Sequence, residues 1–207
     1  MANKRERERR EKENILVQKN KAKEKILPFY LVSAGIGLVA ILFYFFNWVY
    51  IFNTTQGVGV EVGCNGFNFL IATLTGKFSS TSNVYGDLAV PFYYYAAKYC
   101  KTLGVVTLIS IVCLILSIGF SVAAYFTKKQ ELSIGSVVTS LGAVVLLIVC
   151  FTVALSMKDS DILPVYCSGN PRCSIESLAI LPAIVVCGML AVQCVAAIKY
   201  LKVVLDK

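Results

Sequence analysis

Apolar residues in this chain gather in long runs rather than alternating with polar ones. No Asp, Glu, Lys or Arg interrupts residues 26–60, 102–127, 132–157 or 177–198. Each run is long enough to carry a helix across about 30 Å of hydrocarbon, which takes about 20 residues. The pattern predicts an all-α membrane protein, a four-transmembrane-helix bundle with spans at about 28–52, 103–126, 133–156 and 177–199. Residues 1–25 form a charged N-terminal segment, and 26–207 form the membrane domain with connecting loops 53–102 and 157–176. The first run outlasts the apolar core of a signal peptide and has no small-residue cleavage site before "FYFFNWVYIF", so it reads as a retained span.

Composition agrees with this layout. Of 207 residues, 57% are hydrophobic and 15% charged, whereas a soluble domain is about a quarter charged. Charge then sets the threading. The segment "MANKRERERREKENILVQKNKAKEK" holds ten Lys or Arg, and Lys128, Lys129, Lys199, Lys202 and Lys207 fall on the same side. The opposite side has only Lys77, Lys98, Lys101, Lys158 and Arg172. By the positive-inside bias both termini are cytoplasmic, the two loops face outward, and the plasma membrane is the expected site. The basic segment mixes Arg with Glu, as in Glu8–Lys12, and suits a solvated helix. Lys19, Lys21, Lys23 and Lys25 are its lipid-facing basic residues, placed to meet anionic headgroups of the bilayer. Nucleic acid is not an expected partner, since the charge is a juxtamembrane topology signal.

The spans offer little reactive chemistry. None contains an ionisable carboxylate, Lys or Arg, and the chain has no histidine. Intramembrane charges mark proton relays and ion paths, so a proton-coupled transporter or a pump is disfavoured. No enzyme activity, cofactor or metal is expected. Gln193 is the one amide deep in a span and reads as an interhelical hydrogen-bonding group. Small residues let helices approach closely in lipid. Ala179, Ala183, Cys187 and Ala191 form such a stripe in the fourth span, and Ser136 and Ser140 in the third. Ser117 with Ser121, and Ser33 with Gly37, do the same in the second and first. Aromatic residues from Phe43 to Phe52, with Tyr93, Tyr94, Tyr95 and Tyr99, are expected as an interfacial belt.

The eight cysteines divide by position. Cys113, Cys150, Cys187 and Cys194 fall inside spans, while Cys64, Cys100, Cys167 and Cys173 fall in the two outer loops. An even set on the oxidising side points to disulfides. Cys64–Cys100 and Cys167–Cys173 are favoured, with cross-loop pairing as the alternative. Zinc spacing and Cys-x-x-Cys are both missing. Within the first loop, "GVGVEV" alternates and "FNFLIATL" is a short apolar run, so this extracellular region holds either a small β-hairpin or a short helix. Asn53-Thr54-Thr55 fits the glycosylation sequon, close to the first span.

Four spans, a large first and a small second outer loop, and outer cysteines resemble the claudin-type layout in topology only. The claudin motif of tryptophan, Gly-Leu-Trp and two cysteines is absent. The segment "GCNGFNFLIATLTGKF" followed by a span resembles small four-span membrane proteins of Gram-positive bacteria, a likeness that implies the fold and no activity. The chain is thus expected to be a non-enzymatic scaffold or accessory subunit. It would act through its outer loops and helix contacts on another membrane protein or on a second copy of itself. The alternative is an oligomeric channel or transporter component for a small solute or ion.

Overall fold

A computed structural model of the chain describes residues 2–55, 58–75, 81–82, 86–129, 131–156, 173–176 and 180–205. Four helical segments in it, Glu13–Phe45, Thr102–Thr127, Leu132–Val153 and Ile180–Leu205, are long and apolar enough to cross a bilayer. The chain is a multi-pass membrane protein with four candidate spans.

The charged N-terminal segment is helix α1, Ala2–Glu24. Its surface carries the exposed i,i+4 pair Arg10–Glu6 at 2.8 Å, the kind of contact that supports a solvated helix. A short turn leads into α2, Leu27–Leu42, with Pro28 in its first turn, where the missing N–H costs nothing. A 3₁₀ turn, Phe43–Phe45, completes the span. Sixteen α-helical residues and three 3₁₀ residues rise about 30 Å together, enough to cross.

Strand β1, Asn47–Thr55, starts one residue after that turn. The expected first span of 28–52 is therefore too long: from Asn47 onward the chain is strand. The physical reason lies in residue type, because Trp48, Val49, Tyr50, Ile51 and Phe52 are aromatic or β-branched and favour a pleated surface, yet score as apolar as any span. Strand β2, Val58–Asn65, pairs antiparallel with β1, and helix α3, Gly66–Thr75, follows directly. The first connection thus contains both a strand pair and a short helix. A two-residue strand β3, Thr81–Ser82, pairs with β2.

Helix α4 runs from Gly86 to Thr127. Its last part is the second span; its first 16 residues, through Lys101, were expected as loop and are helix, about 24 Å of it. Helix α5, Leu132–Ser156, is the third span. From the second connection, strand β4, Cys173–Glu176, pairs antiparallel with β1 so that Asn53 faces Cys173 and Tyr50 faces Glu176. The sheet order is β3-β2-β1-β4. Asn53 is accordingly in a strand paired on both sides. Helix α6, Ile180–Leu205, is the fourth span, with Pro182 in its first turn.

In the bundle α2 packs on α4 and α6, and α5 packs on the same two, so α2 and α5 sit diagonally. One apolar cluster, including Leu103, Leu114, Leu147, Val186 and Met189, fills the half toward the sheet. A second, Ile26, Tyr30, Ala124 and Ala196, closes the opposite end. Leu31, Leu38, Ile115, Val138, Leu141, Ile184 and Ile198 point outward, as lipid-facing positions do.

Candidate functional site

Between the two apolar clusters lies a polar layer to which all four spans contribute. Ser33 of α2, Ser117 and Ser121 of α4, and Ser136 and Ser140 of α5 are fully buried, and Gln193 of α6 is 1% exposed. Ser117 is the hub. Its hydroxyl lies 3.0 Å from the Ser136 carbonyl and 2.5 Å from Ser140 Oγ. In return Ser136 Oγ donates to the Ser117 carbonyl at 3.2 Å. This reciprocal clasp of side chain and backbone requires α4 and α5 to approach very closely, which serine allows and a larger residue would not. Ser136 also pairs with Ser121 at 2.7 Å, and Ser33 donates to Ser121 at 3.0 Å, bringing in α2. Gln193 Nε2 donates to Ser117 at 3.0 Å and Ser121 at 3.3 Å, so the amide is the interhelical group its position suggested. Gln193 Oε1 is buried without a partner.

A second polar contact lies nearer the sheet. Tyr44 is fully buried and its hydroxyl meets Ser110 at 2.8 Å. Ser110 also donates to the Thr107 carbonyl at 2.8 Å. Tyr44 is therefore a core residue rather than part of an interfacial belt, while Phe45 and Phe46 are exposed. Phe45 stacks on Phe67 at 4.2 Å between ring centroids, fixing α3 against the end of the first span.

The expected packing stripe of the fourth span is only partly right. Ser136, Ser140 and Ala183 are buried, but Cys187 and Ala191 are exposed, and Ala179 lies outside the described residues. A strict four-residue repeat gains about 40° per step on a helix of 3.6 residues per turn, so it rotates off any fixed face. The face α6 actually buries is Pro182, Ala183, Val186, Met189, Gln193 and Ala196. The sequence offers the serines both as small packing residues and, with Gln193, as interhelical hydrogen-bonding groups. The bonds Ser117–Ser140, Ser121–Ser136 and Ser33–Ser121 are of the second kind. The serines' shared four-residue spacing on α4 and α5 is the signal for which of them meet.

Of the loop cysteines, Cys64 lies on β2, Cys100 on α4 and Cys173 on β4. Their side chains, and Cys167 altogether, lie outside the described residues. The described thiols, Cys113, Cys150, Cys187 and Cys194, are free, and no disulfide is formed among them. Likewise the side chains of Tyr93, Tyr94, Tyr95 and Tyr99 fall outside the description. Lys19, Lys21, Lys23 and Lys25 stand at the end of α1 and the turn after it, where the charged segment meets the first span. Among the described residues no cluster of His, Cys, Asp or Glu is arranged to hold a metal. Compared with protein-family models and with curated proteins, the chain gives no match.

Proposed function

We propose that the chain is a non-enzymatic scaffold or accessory subunit of the plasma membrane. Its sheet end meets another membrane protein or a second copy of the chain. The observation that carries this reading is the pairing of β4 with β1, which joins the two connections into one surface built on four spans. The polar layer supports it too, since hydrogen bonds among all four helices suit a rigid platform. Charge bias favours both termini in the cytoplasm and the sheet outside. Cys64–Cys100 and Cys167–Cys173 disulfides would brace that sheet in an oxidising compartment.

The competing reading, an oligomeric channel component, needs a polar stripe on an outward face. Ser110, Ser117, Ser121, Ser133, Ser136 and Ser140 are instead buried within one bundle, which favours the scaffold. Two measurements on purified protein separate the readings: ion and solute flux in liposomes, and molar mass by light scattering with any co-purifying subunit identified. The expected outcome is no flux above empty liposomes, with a stoichiometric partner or dimer that is lost in Ile175→Pro. Ile175 pairs with Ile51 inside the four-residue β4–β1 ladder, where proline is disfavoured. Robust flux without a partner overturns the proposal.

A further inference from the structure

At the end of the bundle away from the sheet, a cleft of about 340 Å³ opens between α1, the start of α2 and the residue after α4. Asn20, Lys23, Glu24, Leu27 and Lys128 line it, and its size is within the range that holds a small ligand. Its position is set by the sequence. The last charges before the first span are Lys23, Glu24 and Lys25, and none follows until Glu61. The cleft therefore straddles the boundary where headgroups give way to acyl chains, with Leu27 as its apolar floor. Leu31, one turn further along α2, is 52% exposed, and Phe126, two residues before Lys128, is 74% exposed, so apolar surface is present on both helices next to the cleft's residues.

Lys128 is the informative residue. Its φ is 57°, the one left-handed non-glycine among the described residues. A residue just past a helix end adopts this conformation most readily as glycine, and sometimes as asparagine. The left-handed backbone marks Lys128 as a position whose side chain is a candidate for use in the cleft it lines. Its contact with Glu24, 4.0 Å between two side chains that are 69% and 64% exposed, does not supply that use, because exposed pairs at such distances contribute little.

We propose that this cleft binds the headgroup of a membrane glycerophospholipid. The phosphodiester lies between the Lys23 and Lys128 ammonium groups. The headgroup's own donor, a hydroxyl or an ammonium, meets the Glu24 carboxylate and the Asn20 amide, and one acyl chain runs over Leu27. Glu24 selects within this class: it repels a bare phosphate dianion and favours a headgroup that carries a donor. The inference rests on the four spans and on neither reading of the sheet end.

The test uses full-length protein in detergent, read by native mass spectrometry and thermal unfolding. Phosphatidylglycerol and phosphatidylethanolamine carry headgroup donors, phosphatidylcholine carries none, and inorganic phosphate serves as the arm without acyl chains. The expected result is a retained one-to-one adduct and a raised Tm with the two donor lipids, a smaller effect with phosphatidylcholine, and none with inorganic phosphate. Lys128→Gly relieves the left-handed lysine, so it melts higher without lipid. It also binds lipid about fivefold more weakly in a mass-spectrometric titration, the weight of one lysine near an anionic headgroup. Glu24→Gln keeps the adducts but narrows the preference for donor lipids. An undiminished lipid shift in both Lys128→Gly and Lys23→Gln, or an equal shift from inorganic phosphate, overturns the proposal.

Discussion

Ser117 and Gln193 belong to one network but differ in how much depends on them. Ser117 Oγ meets the carbonyl of Ser136, the hydroxyl of Ser140 and the amide of Gln193. Removing it leaves Gln193 Nε2 with only the 3.3 Å contact to Ser121, and an under-bonded polar group in a span is costly. Gln193 already has an unpartnered Oε1. Replacing it with methionine removes that buried orphan along with the donor, while Ser121–Ser136 and Ser117–Ser140 bonds survive. Interhelical hydrogen bonds in membranes average about 0.6 kcal/mol and reach about 1.7. Ser117→Ala should therefore destabilise by about 1–2 kcal/mol, and Gln193→Met by less than half as much. Unfolding in mixed detergent micelles measures both. The reverse ranking would show that the amide, and not the serine, holds the layer together.

Close approach decides the behaviour of whole helices. A Cβ on Gly37 would sit 2.6 Å from Ile118 Cγ1 and 3.0 Å from Met189 Sδ, whereas one on Gly35 would meet nothing within 4 Å. Two glycines a residue apart thus have opposite roles: Gly37 lets α2 approach α4 and α6, and Gly35 looks outward. Gly37→Ala should destabilise by about 1–3 kcal/mol through overpacking, while Gly35→Ala should be neutral or slightly stabilising from helix propensity. Gly37→Ala should cost less in an Ile118→Ala background, where the Cγ1 atom it meets is gone, and the same micelle titration reads the double-mutant cycle. The corrected face of α6 makes a parallel expectation. Ala183→Leu, in the buried face at 2% exposure, should break the bundle, and Ala191→Leu, exposed, should leave its melting unchanged. These elements also show what was legible beforehand. The second, third and fourth spans were readable because a charge-free apolar run has one physical solution in lipid. The end of the first was not, because hydropathy does not separate a helix from the aromatic and β-branched strand Asn47–Thr55. The hydroxyl layer was half legible: Ser117, Ser121, Ser136 and Ser140 stood out by spacing, but spacing does not say whether two serines pack or bond. Tyr44 misled for a related reason, since a tyrosine near a span end fits an interfacial belt as well as a bond to Ser110.

At the scale of the molecule, the two ends of the bundle carry different chemistry. Helices α2 and α5 run toward the sheet and α4 and α6 run away from it, so the N-terminal helix and the end of α6 share one end. That end has Lys128, Lys129, Lys199 and Lys202, and the N-terminal segment has no cysteine. Cys64, Cys100 and Cys173 stand toward the other end on β2, α4 and β4. The remaining described thiols lie within spans, where a charged reagent does not enter. Thiol chemistry can therefore read threading and cross-linking in one experiment on intact cells. If the proposed outward disulfides form, a membrane-impermeant maleimide should leave the wild type unlabelled and should label it strongly after a reductant. A single cysteine placed on the exposed face of α1, Asn14→Cys, should be labelled only after permeabilisation. Labelling of Asn14→Cys in intact cells would invert the threading and move the sheet to the cytoplasmic side, where cysteines stay reduced. Labelling of the wild type without reductant would keep the threading but remove the disulfides. The sheet would then rest on the β1–β2 and β1–β4 ladders and on Phe67 packed against Phe45.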